Sequence, residues 1–196
     1  MIRLENLWLS FGEKQILQDF SLAILPDGVT CLQGPSGIGK TTLLRLIAGL
    51  SRPDRGAIVG TPKKPAFLFQ EDRLLPHFSA FDNVAAALPV DRRDEAGLWL
   101  ERVGLSDDFE TKPQALSGGM RRRVALARAL AYGGDYLLLD EPFTGLDAAL
   151  AAEMAALIRA TGTPALVITH ADDEVVLFGG RVIALDGPPM RVVRGG

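Results

Sequence analysis

Cysteine is almost missing from this sequence: one, Cys31, in 196 residues. A lone thiol builds neither a disulfide framework nor a sulfur-ligated metal cluster. Its setting in the apolar run VTCLQ reads as core filling. An excess of positive charge is also missing. The formal net charge is −3, whereas a general nucleic-acid binder is usually basic, so no nucleic-acid partner is expected. No run reaches the ~18 uninterrupted apolar residues that would span a bilayer. The opening segment MIRLENLWLS has neither the charged nor the apolar stretch of a secretory leader, so a cytosolic, reduced protein is expected. There is no internal repeat and no low-complexity segment.

What is present changes character along the chain. Ile2, Leu4, Leu7, Leu9 and Phe11 nearly alternate, with one slip, as in an edge strand carrying a bulge. QILQDFSLAIL reads as its partner across the turn GEK. Then come four short, nearly all-apolar runs: VTCLQ (29–33), AFLFQ (66–70), YLLLD (136–140) and ALVITH (165–170). Such runs suit strands buried on both faces of a parallel sheet. Helical segments fall between them, at Lys40–Ala48 closed by Gly49, Glu95–Val103 closed by Gly104, Gly118–Ala131 and Ala149–Arg159. The tail RVIALDGPPMRVV reads as a hairpin. Each apolar run ends in a polar residue or a glycine loop. In an open parallel sheet, ligands bind beyond the carboxyl ends of the strands. If the four strands share one sheet, Gly34, Gln70, Asp140 and His170 converge.

GPSGIGKT fits G-x-x-x-x-G-K-[ST], with Gly34, Gly39, Lys40 and Thr41 at the fixed positions, between an expected strand and an expected helix. Glycines let backbone N–H groups wrap a polyphosphate, and the helix N-terminus adds partial positive charge. Lys40 is expected at the β- and γ-phosphates, and the Thr41 hydroxyl on Mg²⁺. The whole segment, including Pro35, Ser36, Gly37, Ile38 and Thr42, is expected to line the nucleotide. YLLLDEP supplies the acids. Asp140 is expected to hold Mg²⁺, directly or through water. Glu141, turned differently, is expected to polarise the water that attacks the γ-phosphate.

LSGGM (116–120) is a second glycine-rich segment. Ser117 reads as an N-cap for the helix from Gly118. Without side chains at Gly118 and Gly119, free N–H groups can closely approach an anion; the alternative is an ordinary capped helix. The run Arg121–Arg123 reads as a solvated helix face.

In order, these features resemble the nucleotide-binding subunits of ATP-binding-cassette (ABC) transporters. The resemblance spans almost the whole chain: an aromatic at Phe11, the P-loop, Gln70, LSGGM, LLLDEP, GLD at 145–147 and His170. It implies an α/β fold: a P-loop NTPase (RecA-like) core at about 1–70 and 133–196, an N-terminal antiparallel β subdomain, and an inserted α-helical lobe at about 71–132. It implies ATP and Mg²⁺ as cofactors, with hydrolysis powering solute transport, import rather than export. Phe11 would stack on adenine, or else be a core strand aromatic. Gln70 would touch Mg²⁺ or the attacking water and report to the membrane partner. His170 would hydrogen-bond the γ-phosphate, or else be structural. Asp147 would sit at a subunit interface. Ser117, Gly118 and Gly119 would contact ATP held by another copy's P-loop, in a head-to-tail homodimer with two nucleotides between subunits.

Further partners implied are transmembrane permease subunits and a substrate-binding protein, which puts the chain peripherally on the cytoplasmic face of the inner membrane. The apolar residues near LLPHF are then either a docking patch for a permease helix or the lobe's own core. Met120 departs from the usual glutamine. With FQEDRLLPHFSAFDNV it resembles importer subunits of the nitrate, sulfonate and taurine group. The alternative is a soluble ATPase of the same superfamily uncoupled from transport.

Overall fold

The structure, a computed structural model, describes residues 1–195. Strands β1 (Ile2–Phe11) and β2 (Lys14–Ile24) pair antiparallel across a tight turn. The slip in the apolar alternation is a register shift between Leu4 and Leu7. Asn6 there adopts φ 50° and Asp19 of the facing strand φ 49°. The Asn6 side-chain amide donates to the Asp19 carboxylate at 2.8 Å, which fixes the irregularity. The extra residue returns Leu7 and Leu9 to the buried face shared by Ile2 and Leu4. A third strand, β4 (Arg55–Val59), covers the other edge of β1. The sequence gives it no signal, because none of its residues is buried and it has no alternation to read.

The four apolar runs do share one sheet. Strands β3 (Val29–Gln33), β5 (Pro65–Leu68), β6 (Tyr136–Asp140), β7 (Ala165–Ile168) and β8 (Arg181–Asp186) run parallel, and β9 (Arg191–Gly195) returns antiparallel along β8. Their order is β5-β6-β7-β3-β8-β9. Every residue of β6 and β7 is buried, which accounts for their unbroken apolar sequence. One face packs against α1 (Lys40–Ile47) and the β1–β2 pair, through Leu43, Leu44, Ile47, Leu138 and Ile168. The other face meets α5 (Ala148–Ala160) and α4 (Gly118–Ala131), through Leu139, Val167, Ile158 and Leu126.

This second core continues into the helices α2 (Ala80–Ala85) and α3 (Glu95–Arg102), with Val84 and Leu100 fully buried. Helix α2 is short and was not expected; its start is fixed by Ser79, whose hydroxyl accepts from Asp82 N–H. Helix α6 (Asp172–Phe178) was also missed, because only Phe178 of its residues is buried. The LLPHF segment divides: Leu74 packs against the core, while Leu75 and Phe78 are exposed.

The expectation for Arg121–Arg123 is overturned. Arg122 is 2% exposed and buried in protein. Arg123 donates to the Val103 and Gly104 carbonyls, and Arg121 to that of Leu116. Helix geometry explains the burial, since Arg122 shares a face with Leu126 and Ala129, four and seven residues on.

Candidate nucleotide site

At the carboxyl ends of the parallel strands lies a cavity of about 280 Å³. Phe11, Ser36, Gly37, Gly39, Lys40, Thr41, Thr42, Gln70, Asp140, Glu141 and His170 line it. The loop from β3 to α1 forms its floor. Gly34 holds φ 152°, and a Cβ there would collide with the Leu185 carbonyl. Gly39 caps α1 at φ 109°, where a Cβ would run into the Ile16 side chain. Both positions therefore need glycine for conformation and for space. Pro35, Ser36 and Gly37 are exposed along the loop, whereas the Ile38 side chain is buried and anchors the loop from beneath. Only the Ile38 backbone can face a ligand.

Lys40 is buried, and its ammonium donates to the carbonyls of Gly34 and Pro35, both at 2.7 Å. Burial pushes its pKa down, against the upward pull of the Glu141 and Asp140 carboxylates. Asp140 is 1% exposed, and its Oδ2 has no hydrogen-bond partner. Burial raises its pKa, while a hydrogen bond from Thr41 acts in the opposite sense. A buried carboxylate oxygen without a donor, beside a threonine hydroxyl, suits a hard cation that takes its remaining oxygens from phosphate and water. Among the described residues, no cluster of three or more histidine, cysteine or acidic side chains could hold a metal by itself.

Glu141 adopts φ 49°, unusual for a residue with a side chain. Its carboxylate lines the cavity beside His170. Its Oε1 lies 3.1 Å from His170 Nε2. Thr144 holds the turn from the other side, its hydroxyl 3.1 Å from the Glu141 carbonyl. His170 is braced by its neighbours. The Thr169 hydroxyl accepts from Ala171 N–H at 3.1 Å and donates to Glu174 at 2.5 Å. Gln70 is exposed at the cavity wall. Phe11 is 58% exposed at the rim, not in the core. Sequence reasoning missed Thr144, Thr169, Glu174 and Arg122. Only Arg122 had a signal, its place on the apolar face of α4.

The LSGGM segment stands apart. Ser117 caps α4, its Oγ accepting from Met120 N–H at 3.2 Å. A Cβ on Gly118 would approach only the Arg121 side chain, at 3.9 Å, whereas one on Gly119 would lie 3.0 Å from the Gly145 carbonyl oxygen. Asp147 caps α5, accepting from Leu150 N–H at 2.9 Å. None of Ser117, Gly118, Gly119 and Asp147 lines the cavity. The half-buried Met120 packs against the core beside the lobe.

Comparison with known proteins points one way. Residues 17–144 match the ABC transporter family. The aliphatic sulfonates import ATP-binding protein SsuB of Albidiferax ferrireducens is 43% identical over 194 residues, covering 93% of this chain and 70% of that protein. The taurine import ATP-binding protein TauB of Pseudomonas aeruginosa is 38% identical over 211 residues, covering 97% of this chain and 80% of that one. Among solved structures, the ATP-binding cassette MJ0796, as a dimer in a post-hydrolysis state bound to ADP and Pi, superposes with a TM-score of 0.85 at 28% identity over 100% of both chains.

Proposed function

This chain belongs to the ABC transporter family as an ATP-hydrolysing, ATP-binding subunit, and from that premise we propose that it drives import of an organic sulfonate through separate permease subunits. The substrate class rests on the relatives, which are named for import of aliphatic sulfonates and of taurine. No helix among the described residues is long and apolar enough to cross a membrane. In this reading the solute path belongs to the permeases, a binding protein delivers the solute, and the subunit sits peripherally on the cytoplasmic face of the inner membrane. The exposed Leu75 and Phe78 are candidates for the permease contact.

The observation that carries the site assignment is the convergence of Lys40, Thr41, Asp140, Glu141 and His170 on one cavity. Lys40 exchanges the Gly34 and Pro35 carbonyls for β- and γ-phosphate oxygens. The loop N–H groups from Ser36 to Thr42 receive the rest of the polyphosphate. Thr41 and Asp140 would hold Mg²⁺, which neutralises charge developing on the phosphates. Gln70 orients the attacking water, and Glu141 accepts its proton. His170, 3.1 Å from Glu141, turns its imidazole to the γ-phosphate. Phe11 stacks on the adenine.

The cavity is open at its rim, where Phe11 is exposed, so bound ATP leaves one side uncovered. A second copy covers it. Ser117 and the N–H groups of Gly118 and Gly119 meet the partner's γ-phosphate, with Asp147 at the seam.

The experiment is a mixed dimer of a Lys40→Ala subunit and a Ser117→Arg subunit, each unable to trap ATP as a homodimer. Sharing across the interface leaves one intact site, and trapping well above both homodimers is expected. Trapping no better than theirs would overturn the shared site. For the solute, the subunit reconstituted with its co-purified permease in vesicles, with the binding protein outside, should import taurine or an alkanesulfonate only with ATP inside. Uptake that ignores ATP would refute the assignment.

A further inference from the structure

The buried Arg122 belongs to no step described above, yet it touches more of the site's backbone than any residue in it. Nη2 donates to the Asp140 carbonyl at 2.5 Å and the Glu141 carbonyl at 2.7 Å, and Nε to the Pro142 carbonyl at 3.2 Å. Nη1 donates to the Phe69 carbonyl at 2.7 Å, the Gln70 carbonyl at 3.3 Å and Asp72 Oδ1 at 3.2 Å. One planar guanidinium thus ties the Asp140–Glu141 turn to the Gln70 loop from behind. Its neighbour on the same helix extends the clamp, since Arg128 donates to the Asp72 and Arg73 carbonyls at 2.8 and 2.9 Å.

Burial works against this charge and pushes its pKa down, while Asp72, Asp140 and Glu141 pull it up. A charge this buried is tolerated only where it is fully paired and hydrogen-bonded. A lysine is a point charge with three donors; it cannot reproduce a rigid five-donor fork.

The two segments it joins carry the residues assigned to the attacking water, Gln70 and Glu141, and neither is relaxed. Glu141 holds φ 49° and Arg73, just past Gln70, holds φ 45°. Local preference does not favour either turn. Arg122 is also five residues past the Ser117 cap on α4.

We propose that Arg122 is a positioning residue for ATP hydrolysis, locking Gln70 and Glu141 into one rigid unit carried by the helix that bears the LSGGM segment. The proposal rests on the reading of Glu141 as base. A shift of α4 then moves the backbone of both residues together. Water attack depends on where that helix sits. The phosphate contacts of the loop depend on it less, because no hydrogen bond joins Arg122 to Lys40 or to the loop from Gly34 to Thr42, and its link to the proposed cation site is the Asp140 main chain alone.

The test is Arg122→Met in the full chain, with Arg122→Lys and Asp72→Asn beside it. For Arg122→Met, kcat for ATP hydrolysis is expected to fall about 10²-fold, the scale of a misplaced catalytic group. KM for ATP should stay within about twofold, as uniform binding is untouched. Arg122→Lys should recover part of the lost turnover. Asp72→Asn should lower stability, because it removes the ion-pair partner of a buried charge, but should cost less kcat than Arg122→Met, because the carbonyl contacts remain. In a Glu141→Gln background, adding Arg122→Met should leave the ATP-locked dimer intact, as seen by size. A merely structural role would instead raise KM and abolish that dimer.

Wild-type kcat in Arg122→Met, with Glu141→Gln inactive, would overturn the positioning role alone. Full hydrolysis by Glu141→Gln would overturn the base assignment and the role of Arg122 with it. Should the methionine variant not fold, Arg122→Lys decides: lowered kcat at unchanged KM supports the proposal, and loss of fold in both makes Arg122 a core strut and refutes it.

Discussion

The molecule has two glycine-rich segments that open helices, and they are built on opposite plans. In the loop before α1, Gly34 and Gly39 hold conformations closed to other residues, with no room for a methyl group. No side chain caps that helix, whose cap residue is left-handed. The loop closes a cavity around itself. At the start of α4, Gly118 and Gly119 take ordinary helical angles and a serine side chain supplies the cap. Gly118 faces almost open space. The first segment uses glycine to bend the backbone; the second uses Gly118 to leave a surface bare, while Gly119 sits close to the Gly145 carbonyl. A bent loop completes a site within one chain. A bare helix end suits the proposed contact with a nucleotide held by a second copy.

Variants can break this comparison. The largest effect is expected at Lys40. Replacement by alanine should lower kcat/KM for ATP by about 10³-fold, since it removes the charge proposed to reach the transferred phosphate. Turnover within tenfold of wild type would remove the loop from the site.

A paired substitution sharpens the contrast. Gly39→Ala should destabilise the fold by about 2–3 kcal/mol through left-handed strain and overpacking. Gly118→Ala should be neutral or stabilise it by up to about 1 kcal/mol, as alanine favours helix. Denaturant unfolding gives both numbers. ATP-driven dimerisation should nevertheless fall in Gly118→Ala. Equal losses of stability would mean that the two segments are not different in kind.

Asp140 tests a smaller consequence. Its pKa is raised by burial, so its charged form costs stability above that pKa, and the cost disappears as the group protonates in acid. Without nucleotide, Asp140→Asn should therefore melt higher than wild type near pH 7, with the gap narrowing as pH falls. Thermal scans across pH check this. Mg²⁺ with ATP should stabilise wild type more than the asparagine variant. The smallest effect belongs to Met120. Glutamine there should keep turnover within about twofold, since Ser117 and backbone N–H groups make the proposed contacts.

The contrast between the two segments also marks how far the sequence could be read. The P-loop, the DEP turn and LSGGM are local: spacing and flanking periodicity expose them, and four of the five parallel strands follow from their unbroken apolar runs. Strand β4 was illegible because it buries nothing. Arg122 was misread because its partners lie 18 to 53 residues away, beyond any local pattern. Neighbouring arginines resemble a solvated patch until the helix face is counted. The Thr169–Glu174 brace was missed because α6 had no periodic signal. Phe11 could be read as stacking on adenine or as a core strand aromatic, and its exposure at the cavity mouth removes the core reading.

Glu141 keeps its carboxylate in the cavity by holding a backbone angle of φ 49°. For a residue with a side chain that conformation costs about 1–2 kcal/mol. Glycine or asparagine would occupy it with less strain. Directed evolution for heat tolerance alone should therefore enrich those residues at position 141 and yield sturdy proteins without turnover. Thermal ranking of a variant library of this chain would discard the proposed base among the first losses, so such a library has to be sorted on phosphate release as well as on melting.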